Sequence, residues 1–172
     1  MRERKRPAHG VYMDADGPII VYDTICARDR LPWLANDTCH RMLIDAWTRA
    51  NARLVGHYVI MPDYVHLFAA TKRKTGTDSL FGGLKSVSVP AFRGAMDIDY
   101  RSWVKYWKRL FTFAHGHDAW RFQDDHWDRR LRSNESYAQK WDYLRQNPVR
   151  KGLVSNPDAW PYQGELNELH WL

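Results

Sequence analysis

Cysteine is almost missing from this 172-residue chain. Cys26 and Cys39 stand alone, with no Cys-x-x-Cys and no second pair, which excludes a disulfide framework and argues against a zinc knuckle. No apolar run reaches the ~20 residues that a membrane-spanning helix needs. The first seven residues, Met1 to Pro7, carry charges with no apolar stretch behind them, and do not read as a signal peptide. A cytoplasmic protein without a membrane partner is expected. Acidic residues are in deficit: 20 Asp and Glu against 26 Lys and Arg leave a net charge of +6 and a pI of about 9.4. Internal repeats and low-complexity segments are missing too. So is a paired-aromatic strand signature of the Arg-Gly-Phe-Gly-Phe kind, which counts against an RNA-binding sheet module.

What the chain does have is ring surface beside positive charge. Nine Trp and nine Tyr accompany an apolar content of 44%, enough for one domain with a sizeable core. Phosphates attract cations and unstacked bases stack on rings, so this combination points to a nucleic-acid partner.

Residues 1–17 read as a basic arm. Pro18 to Ala27 is rich in β-branched residues and predicts a first strand. Asn36 or Asp37 can cap a helix whose Cys39, Met42, Leu43, Ala46, Trp47 and Ala50 recur at helical spacing. Arg53 to Ile60 predicts a second strand, Pro62-Asp63 a tight turn, and Tyr64 to Thr71 a third strand. Residues 72–99 are broken by glycines and Pro90 and read as an insertion. Tyr100 to Ala114 predicts a helix with Trp103, Tyr106, Trp107, Leu110 and Phe111 as its buried stripe. His115-Gly-His117 is a turn and a weak candidate metal pair. A last strand is expected within Trp120 to Arg132. A final helix capped by Ser133 runs to about Asn147, because Pro148 disfavours helical geometry before it. A tail, 155–172, follows the domain at 18–154. The order β-α-β-β-α-β predicts a ferredoxin-like α+β fold: an antiparallel sheet with helices on one face, plus a C-terminal helix.

Two blocks carry the chemistry. In Met61-Pro-Asp-Tyr-Val-His-Leu-Phe68, strand alternation points Tyr64 and His66 to one face with Val65 behind them. The second block is Leu131 to Val154, with Asp142-Tyr-Leu-Arg-Gln-Asn-Pro148 at its centre, followed by Asp158-Ala-Trp-Pro-Tyr162. Tyr143 can be a core aromatic of this helix, although Trp141 and Leu144 can supply that core instead. From about residue 53 to 166 the chain resembles the REP-associated tyrosine transposases, which are IS200-type single-tyrosine transposases of the HUH endonuclease group.

The resemblance implies a metal-dependent endonuclease and strand transferase acting on single-stranded or hairpin DNA through a 5′-phosphotyrosine intermediate. Nucleoid association follows from such a partner. Tyr143 matches the nucleophile. His66 matches the second motif histidine, and Asn147, four residues after Tyr143, matches a polar ligand of a divalent ion, Mg²⁺ or Mn²⁺. Tyr64 stands where the first histidine is expected. Three outcomes follow from it: weak ligation with slow cleavage, compensation by His57, Asp63 or His126, or hairpin-DNA binding with impaired or lost cleavage. Asp63 should face away from His66 by alternation, whereas His57 shares its face if the two strands pair closely. Candidate DNA contacts are Arg2, Arg4, Lys5 and Arg6 in the arm, Lys72, Arg73 and Lys74, Lys105, Lys108 and Arg109 on the long helix, and Arg150 and Lys151. A monomer or homodimer is expected.

Overall fold

The β-branched run Ile20–Cys26 forms β1, inside the strand expected over 18–27. The computed structural model describes residues 20–71, 99–116, 119–131 and 134–169. The arm with Arg4, Lys5 and Arg6, the basic run Lys72, Arg73 and Lys74, Ser133 and His117 therefore lie outside the described residues. After β1 come α1 (Asp37–Arg49), β2 (Arg53–Ile60), β3 (Tyr64–Thr71), α2 (Tyr100–His115), β4 (Trp127–Arg130), α3 (Asn134–Arg145), α4 (Asn147–Arg150) and β5 (Gln163–Glu165). The five strands form one sheet in the order β4-β1-β3-β2-β5, and every neighbouring pair is antiparallel. The expected ferredoxin-like α+β arrangement is the observed one, with β5 added at the β2 edge.

Each sheet face buries its own cluster. Val21, Ile25, Val65 and Leu67 point to one side, where α1 contributes Leu43 and Trp47 and α2 contributes Trp103, Trp107 and Phe111. Side chains of this size contribute about 1.5–3 kcal/mol each when fully buried. Local signals set the helix ends. The Asn36 carboxamide oxygen accepts from Cys39 N at 2.9 Å and starts α1. Asp99 accepts from Ser102 N at 2.9 Å and starts α2, and Gly116 at φ 63° closes it in the left-handed conformation that glycine adopts freely. On the opposite side Ile20, Tyr22, Val59, Phe68 and Ala70 meet Leu144 and, more peripherally, Tyr137 and Trp141 of α3. The C-terminal helix thus lies across the sheet from α1 and α2.

The last strand, expected within 120–132, is Trp127–Arg130, and Phe122 makes a single bridge to Ala27. Two expected boundaries are corrected. Residues 155–169 are not a separate tail. Gln163–Glu165 pairs with β2, and the Trp160 indole donates to Ile60 O at 3.0 Å. The final helix breaks at Gln146, and Pro148 sits in the first turn of a new short helix, where its missing N–H costs nothing.

Gly56 lies at the irregularity in β2 between Val55 and Tyr58. A Cβ there would come within 2.6 Å of Leu169 Cδ1 and 3.0 Å of Tyr137 Oη. Gly56→Ala is expected to destabilise the fold by ~1–3 kcal/mol through overpacking. An unchanged urea midpoint would contradict this packing.

Candidate functional site

The pleat places Tyr64 and His66 on the α3 side of the sheet, as the alternation requires. Their rings meet edge to face with centroids 4.8 Å apart. The β1–β3 register sets Thr24 directly opposite His66, and Tyr22 stands two residues along on the same face. Tyr22 Oη lies 2.8 Å and Thr24 Oγ1 2.9 Å from His66 Nδ1, and Thr24 donates to Tyr22 at 3.1 Å. Two hydroxyls thus converge on one ring nitrogen of His66. Burial, followed by the positive charge of Lys140, lowers the His66 pKa to about 3. Burial raises Tyr22 to about 12. Burial and then Asp63 push the Tyr64 phenol up as well, against the opposing pull of Arg30 and Arg150.

The helices lay a second tier over this sheet patch. Tyr143 is 58% exposed, while its neighbour Leu144 carries the buried contact. Lys140, one turn earlier on α3, places Nζ 4.6 Å from the Tyr22 ring and 5.5 Å from the Tyr143 ring, bridging the two tiers. Arg150 of α4 also lies against Tyr143, with its guanidinium carbon 4.0 Å from the ring centroid. It donates to Tyr143 O at 2.8 Å and to Asn147 Oδ1. From the loop after β1, Arg30 lies 5.0 Å from the Tyr64 ring centroid, pairs with Asp63 at 2.8 Å and donates to Cys26 Sγ at 2.7 Å. Tyr64, His66, Tyr143, Asn147 and Arg150 are thus gathered from the two sequence blocks. Tyr22, Thr24, Arg30 and Lys140 belong with them and were not among the sequence candidates.

The other candidates fall elsewhere. His57 does share the face of His66, but its ring stacks on Trp141 at 4.2 Å and its Nε2 lies 3.5 Å from Glu165. His126 is across the sheet, with Nδ1 2.8 Å from the buried carboxylate of Asp23, which also accepts from Tyr100 Oη at 3.1 Å. Asp63 is engaged by Arg30. His115 packs on Phe111 and Trp120. Lys105 and Arg109 line a groove with Arg28, Arg101 and Arg121 on the outside of α2, the sheet side away from Tyr143. Lys108 is less available than its neighbours: its amine donates to Gln123 O at 2.8 Å, and burial lowers its pKa to about 8. Lys151 is exposed beside Arg150.

The donor set around Tyr64, His66 and Asn147 does not fit a resident divalent ion. Mg²⁺ and Mn²⁺ favour carboxylates and other oxygen donors, but among the described residues no three His, Cys, Asp or Glu side chains converge. Tyr22 and Thr24 occupy Nδ1 of the single imidazole. Tyr64 is held protonated, and the Asn147 carboxamide oxygen faces Arg150. Charge acts in the same direction: side-chain cations repel a dication and attract a phosphate anion. Lys140, Arg30 and Arg150 all act on His66 with positive charge, so this patch favours an anion.

The depressed His66 pKa has a stability consequence. An unfolded histidine binds its proton below pH ~6.5, whereas the folded one resists it down to about 3. Between these values the unfolded state holds more protons, so stability rises with pH and falls on acidification, by up to ~1.4 kcal/mol per pH unit. Burial lowers His40 and His57 in the same direction. Urea melts across this window should show the slope, and His66→Gln should flatten it. An unchanged slope in that variant would contradict the burial of a neutral His66.

No family model matches the chain, and no curated protein matches its sequence. A proposed transposase from Deinococcus radiodurans R1 aligns with a TM-score of 0.41 and 17% identity, over 83% of this chain and 96% of that one. The structure of a REP-associated tyrosine transposase bound to a REP hairpin aligns with a TM-score of 0.65 and 20% identity, over 91% of this chain and 82% of that one. The chain therefore has the fold of a REP-associated tyrosine transposase.

Proposed function

We propose that this protein binds single-stranded or hairpin DNA and cuts and rejoins it through a covalent link to Tyr143. The observation that carries this reading is the exposed Tyr143 phenol ring, in contact with Lys140 and Arg150, with Lys140 also over the Tyr22 ring of the Tyr22–Thr24–His66 network. A tyrosine placed there serves covalent phosphoryl transfer better than packing, because Leu144 already fills the core. In the reaction Tyr143 Oη bonds to phosphorus, the bond from phosphorus to the 3′-oxygen breaks, and the phenol proton ends on the released 3′-hydroxyl. The phosphodiester energy stays in the tyrosine link and permits transfer to another 3′-hydroxyl without ATP. The DNA partner agrees with the +6 net charge and with the DNA bound in the structurally similar transposase.

The test is a labelled hairpin with a single-stranded flank, incubated with the protein and run on a denaturing gel. A covalent adduct at Tyr143 supports the reading. Tight binding without adduct in every condition would leave a hairpin-binding protein that has lost cleavage. Affinity should depend steeply on salt: neutralising about six phosphates of a single strand gives a log–log slope of about −4. A slope near zero would contradict a phosphate-led interface.

A further inference from the structure

We propose that Lys140, Arg150 and Arg30 form a phosphate clamp that stands in for the divalent ion at this site, so that phosphoryl transfer to Tyr143 needs no metal. The inference rests on the Tyr143 reading above and goes beyond it, to what polarises the scissile phosphate.

Three separate segments deliver these cations to one patch. Lys140 comes from α3, three residues before Tyr143, and spans the Tyr22 and Tyr143 rings. Arg150 comes from α4 and is held in place by Tyr143 O and Asn147 Oδ1. The break at Gln146 is what turns this residue back over the tyrosine. Arg30 comes from the loop after β1, where two consecutive non-glycine residues, Asp29 at φ 55° and Arg30 at φ 58°, adopt the left-handed conformation that L side chains rarely take. Such backbone persists only where the surroundings enforce it. Here Asp63 and Cys26 anchor the Arg30 guanidinium over Tyr64. Among the described residues Lys140 and Arg150 have no carboxylate partner, so their charge is available to a ligand. Guanidinium also matches two phosphate oxygens at once.

The chemistry asks for this arrangement. As Tyr143 Oη closes on phosphorus, negative charge grows on the non-bridging oxygens. Fixed cations aimed there stabilise that state without reorganising. The bond from phosphorus to the 3′-oxygen breaks as the bond to Oη forms, and the proton ends on the 3′-hydroxyl, so no co-reactant is consumed.

The test runs the same hairpin in EDTA and in Mg²⁺ or Mn²⁺, with the full chain. Equal adduct formation in EDTA is expected. Lys140→Met and Arg150→Met are each expected to slow it ~10²–10³-fold, with Lys140→Arg retaining most of the rate and circular dichroism showing the variants folded. Mn²⁺ titrated into the protein alone should keep its free electron paramagnetic resonance signal. Stoichiometric loss of that signal, adduct that needs added metal, or adduct that appears only with Mn²⁺ in Tyr64→His would overturn the clamp while leaving Tyr143 as nucleophile. Absence of adduct from every variant and condition overturns the nucleophile reading itself, and the clamp with it.

Discussion

Tyr143→Phe is expected to abolish the covalent protein–DNA adduct, a fall of at least ~10³-fold in its rate of formation, while hairpin affinity stays within about twofold. The substitution removes one oxygen and leaves the ring in contact with Lys140 and Arg150. Because the side chain is 58% exposed, stability should move by less than ~0.5 kcal/mol, so lost adduct cannot be ascribed to unfolding. Tyr64→Phe is the matching control. Tyr64 is only 7% exposed and its phenol is held protonated, so this variant should still form adduct. Adduct that survives Tyr143→Phe and disappears in Tyr64→Phe would transfer the nucleophile to the strand and refute the assignment.

The two halves of this site differ in how far they could be read from the residues. Tyr64 and His66 follow from strand alternation alone, and Tyr143, Asn147 and Arg150 from a block with a specific pattern. Tyr22 and Thr24 do not, because their place beside His66 depends on the β1–β3 register, and register is a tertiary property. Lys140 reads as an ordinary charge on a helix surface until α3 is laid across the sheet. Arg30 lies in a loop whose two left-handed residues have no compositional signal, since neither is glycine. His57 and His126 show the same limit from the other side. Both looked able to support His66, yet one is stacked on Trp141 and the other pairs with Asp23 on the opposite face of the sheet. β5 was illegible for a simpler reason: Gln163-Gly-Glu165 has little strand propensity and pairs only because Trp160 and Tyr162 anchor the chain along β2.

On the clamp proposal, Tyr64 serves the site as a buried ring rather than as a ligand. A second imidazole there would add a donor for a metal, whereas the phenol ring lies under Arg30, whose guanidinium Asp63 holds in place. Tyr64→His combined with the metal titration therefore tests the clamp directly.

The largest stability effect belongs to the other face of the sheet, where Trp103→Ala is expected to cost ~3–5 kcal/mol by cavity formation. Trp103 is fully buried between α1 and the sheet, and its indole donates to Ala50 O at 2.6 Å, closing the C-terminus of α1. Truncation removes the ring and also leaves a buried carbonyl without a partner, a loss of ~1–3 kcal/mol in its own right. Trp103→Phe separates the two effects: it keeps most of the packing and drops only the donor, so its penalty should be nearer 1–2 kcal/mol. Urea denaturation followed by far-ultraviolet circular dichroism measures both. Because Tyr143 and its cations stand on the opposite face, the folded fraction of either variant should form adduct at the wild-type rate at low temperature. A Trp103→Ala protein as stable as the wild type would show that α1 and α2 do not share the core described here.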